Sequence, residues 1–80
     1  MKLPRDVSGR RLASLLARLG YEITRQSGSH IRLTTQQGGE HHLTVPDHDP
    51  LKVGILSAIL RDVAEHAGTS RDELLKTLFS

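Results

Sequence analysis

The chain has no cysteine and no tryptophan, and its only aromatic side chains of the Phe and Tyr type are Tyr21 and Phe79. Without cysteine, neither a disulfide nor a thiolate-bound metal can staple an 80-residue protein. With two aromatics the core has to be aliphatic, and binding of single strands by base stacking lacks its usual exposed ring platforms. No apolar run approaches the roughly 20 residues of a membrane span, and the N-terminus lacks the 7–15-residue apolar segment, about two to four helical turns, of a secretory leader. A soluble, cytoplasmic protein with no membrane contact is expected. Also missing are a Walker-type phosphate loop, HExxH, GxSxG and a glycine-rich dinucleotide loop, so the sequence offers none of the signatures of nucleotide hydrolysis, zinc proteolysis or α/β-hydrolase chemistry. There is no internal repeat, low-complexity tract or linker.

Eighty residues amount to one domain, 1–80. The net charge is only +2, but it is unevenly spread. Residues 1–35 hold seven cations against two acids, a net +5, and residues 36–80 hold four against seven, a net −3. Such a bipolar chain offers a cationic surface to phosphates. On charge alone, a solvated helix face is the favoured reading.

Hydrophobic periodicity supplies the architecture. After an extended lead-in containing Pro4, Ser8 reads as an N-cap, and Leu12, Leu15, Leu16 and Leu19 form one helical stripe closed by Gly20. The period then changes to two. Tyr21 and Ile23 alternate with Glu22 and Thr24, Ile31 and Leu33 with His30, Arg32 and Thr34, and Leu43 and Val45 with His42 and Thr44. The short links Ser27-Gly28-Ser29 and Gln36-Gln37-Gly38-Gly39 allow only antiparallel pairing. Pro46 ends the third strand. Helical spacing returns at Val53, Leu56, Ile59, Leu60 and Val63, with Gly68 as the stop, and Ser70-Arg71-Asp72-Glu73 opens a short terminal helix at about 70–79 as a capping box. The expected fold is α+β, ordered α-β-β-β-α, a three-stranded antiparallel sheet with helices on one face, plus the C-terminal helix.

The stretch Arg25-Gln26-Ser27-Gly28-Ser29-His30-Ile31-Arg32 concentrates the chemistry. On its own a surface histidine is ordinary. Here, with Ile31 and Leu33 taking the core, His30 faces outward, Gly28 permits a tight turn and close approach of a ligand, and Arg25 and Arg32 stand near. An imidazole can take a proton from a ribose 2′-hydroxyl or give one to a leaving 5′-oxygen, while arginines stabilise the charge that builds on phosphorus. Arg10, Arg11 and Lys52 are further candidates for phosphate contact, together with Ser27, Gly28 and Ser29. His42, across the sheet, is the candidate second proton carrier. His41 and His42 are adjacent on a strand, face opposite ways and do not share a metal readily. His48, between Asp47 and Asp49, matches no strong metal-ligand spacing and reads as part of a hydrogen-bonded loop. His66 suits the C-terminal end of its helix. No cofactor and no metal are called for.

These residues resemble a known family. Val7-Ser8-Gly9, Leu19-Gly20-Tyr21, Arg25 through His30, Val45-Pro46 with His48, and Leu51 through Leu60 are together similar to the HicA (YcfA-like) toxins of bacterial toxin–antitoxin pairs, over roughly residues 7–67. The resemblance implies a fold like the double-stranded-RNA-binding domain and a translation-independent mRNA endoribonuclease with His30 as the catalytic residue. It also implies a HicB-like antitoxin that covers this histidine and through which alone the pair touches DNA. The alternative reading is a non-catalytic double-stranded-RNA-binding module that grips A-form backbones through Arg10, Arg11, Arg18 and Lys52.

Overall fold

In a computed structural model, which describes residues 3–79, helix α1 spans Gly9–Leu16 and continues as a 3-10 turn, Ala17–Leu19. Met1, Lys2 and Ser80 lie outside the described residues. Strands β1 (Glu22–Ser27), β2 (His30–Thr35) and β3 (His41–Pro46) follow, then helices α2 (Val53–Ala67) and α3 (Arg71–Phe79). The order is the one that the periodicity predicts.

The helix boundaries have local causes. Ser8 Oγ accepts from the Arg11 amide at 3.0 Å, and Ser70 Oγ accepts from the Glu73 amide at 3.1 Å, each satisfying an orphan donor of a first turn. Gly20, at φ +81, takes the left-handed conformation that closes the 3-10 turn. Gly9 has a different reason. A Cβ there would overlap the Pro46 carbonyl oxygen, so the glycine lets the start of α1 press directly on the end of β3.

The sheet is antiparallel in the order β1-β2-β3. Along β2 burial alternates, with Ile31, Leu33 and Thr35 inside and His30 and Arg32 outside; along β3, Leu43 and Val45 are buried while His42 and Thr44 are exposed. The inner face joins Leu12 and Leu16 of α1, Leu56, Leu60 and Val63 of α2, and Leu74, Leu75 and Leu78 of α3 in one aliphatic core. Helices thus cover one face of the sheet, an α+β arrangement like the double-stranded-RNA-binding domain. The terminal helix is locked on by Arg18, whose guanidinium donates to the carbonyls of Thr77 and Leu78 at 3.0 and 3.1 Å. One nitrogen of Arg18, a member of the phosphate-gripping set of the alternative reading, is thus engaged at the C-terminal end of α3.

Strand β1 departs from expectation. Its six residues are all exposed, and Ile23, expected in the core beside Tyr21, is 56% exposed. It is an edge strand that the helix layer leaves partly uncovered. The alternation also breaks within it: Ile23 pairs with Leu33, yet Arg25 pairs with Arg32, leaving Thr24 as the extra residue of a β-bulge. No described helix is long and apolar enough to cross a membrane.

Candidate functional site

Strict alternation from Tyr21 would send Arg25 to the core face. The bulge at Thr24 reverses this. Residues directly paired across an antiparallel ladder project to the same face, so Arg25 stands beside Arg32, and Ser27 beside His30. The hairpin between them is closed by Gly28 and Ser29 alone. Gly28, at φ +57, holds the first turn position, where the two-residue II′ hairpin demands a positive φ. The sheet's outer face therefore carries, at one end, an exposed imidazole, two exposed guanidinium groups and the hydroxyl of Ser27.

Like charges placed directly opposite each other destabilise a sheet. Among the described residues, neither Arg25 nor Arg32 has an ion pair, and the His30 ring has no hydrogen-bond partner. The arrangement suits an anion that would bridge the two arginines and be reached by His30. Arg10 adds charge at the same end from α1. Its Nη2 lies 3.2 Å from Asp47 Oδ2, and the Asp47 amide donates to the Ser29 carbonyl at 2.7 Å, tying α1, the chain after β3 and the β1–β2 turn together. Arg11, next to it, is exposed. Lys52 is exposed at the N-cap of α2, whose entry is tied to this region by the Leu51 amide donating to the Val7 carbonyl at 2.7 Å.

His42 shares this face but not this end. It pairs with Thr34, four residues along β2 from His30, about 13 Å at the usual strand rise. Its ring is also engaged: Nδ1 meets Thr34 Oγ1 at 2.8 Å and Nε2 lies 3.4 Å from Glu40 Oε2, while Thr34 Oγ1 continues to Thr24 Oγ1 at 3.2 Å. The expectation of His42 as a second proton carrier fails on distance. It followed from the face that His42 occupies, and register decides the position along that face.

The other end of the sheet holds a second, closed cluster that the sequence reading missed. The Tyr21 hydroxyl is 2.7 Å from His41 Nδ1, and His41 Nε2 is 3.1 Å from Asp62 Oδ1. The imidazole tautomer with its hydrogen on Nε2 satisfies both contacts, Tyr21 donating and Asp62 accepting. The His41 ring stacks on His66 at 4.4 Å between centroids, and His66 Nε2 donates to the Gln37 carbonyl at 2.9 Å. Burial, and then the negative charge of Asp62, push the Tyr21 hydroxyl up to about 12. The hydroxyl–imidazole–carboxylate chain, with the His66–Gln37 bond beside it, fastens β3 and the β2–β3 turn to α2. Its only sequence signals are a histidine on the inner side of β3 and polar residues four apart on α2.

Among the described residues, no group of three or more histidine, aspartate, glutamate or cysteine side chains is arranged to hold a metal ion. No curated protein and no solved structure matches the chain. A family model does: the one described as the HicA toxin of bacterial toxin–antitoxin aligns with residues 9–64, from the glycine under Pro46 to the last turn of α2. The chain belongs to the HicA toxin family, the toxin side of a bacterial toxin–antitoxin system, and this membership implies an antitoxin partner.

Proposed function

We propose that the chain is an endoribonuclease that cleaves mRNA without needing translation or a metal ion, with His30 doing acid–base chemistry on the scissile phosphodiester. In this reading Arg25 and Arg32 hold the non-bridging oxygens, and the Ser27, Gly28 and Ser29 backbone with the Ser27 hydroxyl completes the phosphate seat. Arg10, Arg11 and Lys52 draw the RNA backbone toward this end of the sheet. A HicB-like antitoxin neutralises the toxin by covering His30, and DNA is met only through that antitoxin. Action on mRNA is cytoplasmic.

The observation that carries the reading is the bulge at Thr24, which turns Arg25 onto the face of His30 and sets it against Arg32 with no acid between them. A purely structural edge strand gains nothing from two opposed arginines. A bound phosphate gains a pair of charge-assisted contacts beside a free imidazole.

Purified protein incubated with mRNA in EDTA tests this directly. The parent is expected to cleave, and His30→Ala to lose both cleavage and growth arrest on induction while keeping the parent's melting temperature. Salt-sensitive duplex binding without cleavage, unchanged in His30→Ala, would instead establish the non-catalytic double-stranded-RNA-binding module.

A further inference from the structure

Transfer at phosphorus places the attacking and leaving oxygens roughly in line, on opposite sides of the phosphorus. A group that accepts the proton of the 2′-hydroxyl is therefore poorly placed to protonate the 5′-oxygen, and a second proton carrier is needed. His42 is too far along the sheet, and His41 and His66 are stacked together at its other end. One imidazole remains. We propose that His48 is this second catalytic group, delivering a proton to the leaving 5′-oxygen; the proposal rests on the ribonuclease reading above.

Its placement follows from backbone geometry. Pro46 is the direct partner of His30 in the β2–β3 ladder. The next residue, Asp47, donates its amide to the Ser29 carbonyl at 2.7 Å, so the chain leaving β3 runs alongside the turn that presents His30. The Asp47 side chain is taken up by Arg10 of α1, on the helix side of the sheet. β3 ends at Pro46, but the Asp47–Ser29 bond continues its pairing with the β1–β2 turn by one residue, and alternation continued along that extension carries the His48 side chain toward the face of His30. Two residues of strand rise and one strand spacing put the two Cα atoms roughly 8 Å apart, a span that two imidazoles can bridge around a phosphate.

The His48 backbone is also pinned. Its carbonyl accepts from the Gly9 amide at 2.9 Å, at the point where α1 presses so closely on Pro46 that residue 9 has no room for a Cβ. The imidazole itself is exposed and, among the described residues, has no hydrogen-bond partner. A fixed backbone bearing a free, exposed acid–base group is the form that a preorganised proton donor takes.

The step balances without another reactant. The 2′-hydroxyl proton passes to His30, the 2′-oxygen bonds to phosphorus, the bond from phosphorus to the 5′-oxygen breaks, and the 5′-oxygen takes the proton of His48. The products are a 2′,3′-cyclic phosphate and a 5′-hydroxyl end.

The test compares parent, His48→Ala and His30→Ala on two substrates: an ordinary RNA oligonucleotide, and the same oligonucleotide with sulfur in place of the scissile 5′-oxygen. A thiolate, with a pKa of about 8.5, leaves without protonation. His48→Ala is expected to cut the ordinary RNA about 10²–10⁴-fold more slowly and to recover near the parent's rate on the sulfur substrate. His30→Ala should fail on both. Unimpaired cleavage of ordinary RNA by His48→Ala would overturn the proposal. So would equal impairment on both substrates, which assigns His48 to binding or structure. A parent that cleaves neither substrate removes the ribonuclease reading itself, a result distinct from the other two.

Discussion

The two ends of the sheet use the same residue types in opposite ways. At one end the His30 ring is exposed, with no hydrogen-bond partner among the described residues, and faces arginines that have no acid between them. At the other, His41 has its two ring nitrogens engaged by Tyr21 and Asp62 and its ring face covered by His66. Histidine at a strand start is common to both, so residue type does not distinguish site from scaffold. What distinguishes them is whether the hydrogen-bonding capacity of the ring is spent inside the protein. A satisfied imidazole contributes stability; an unsatisfied one beside uncompensated cations has its capacity left for a ligand.

The comparison breaks most visibly at His30. His30→Ala is expected to lower cleavage by about 10²–10⁴-fold with no change in thermal melting, measured on the same preparation. Replacing Arg25 and Arg32 together by alanine should follow. Charged hydrogen bonds contribute about 1.5–3 kcal/mol, so cleavage should fall by at least about tenfold, and relief of like-charge repulsion should leave melting unchanged or slightly raised. His41→Ala should show the reverse pattern. It strands the Tyr21 hydroxyl without its partner and should cost about 1–3 kcal/mol in denaturant unfolding, with the activity per folded molecule retained.

A smaller effect separates the ends by pH. The folded-state Tyr21 value, about 12, lies above the ordinary 10, so the folded chain holds this proton more tightly than the unfolded one. The corresponding stability is fully present below pH 10 and is lost as pH rises toward 12. Unfolding followed across this window should show a decline that Tyr21→Phe flattens. The smallest expectation concerns His42→Ala, which should leave the cleavage rate at the parent's level, because that ring is turned to Thr34 and Glu40, far along the face. A loss as large as that of His30→Ala would restore His42 to the chemistry and undo the distance argument.

The fold was largely legible because its signals are local. The leucine stripe of α1, the Ser8 and Ser70 caps, Gly20 and the period-two runs of β2 and β3 each act within a few residues, and each appears where expected. Ile23 did not, since alternation tells which way a side chain points and says nothing about whether a helix covers the end of the sheet. Arg18 reads as a surface cation in sequence and is spent on the carbonyls of a helix some sixty positions away.

For residues 25–32 the division is clear. Sequence by itself determined that His30 faces outward, because Ile31 and Leu33 claim the core and Gly28 permits a tight turn before it. Tertiary structure alone decided its company. The bulge at Thr24 brought Arg25 to the imidazole's face, the β2–β3 register moved His42 away, and the contacts of Ser29 and Gly9 brought the chain at His48 alongside. The physical reason is that side-chain direction in a strand is a property of one segment. Register, bulges and loop docking arise between segments distant in sequence, where no local pattern records which residues will meet.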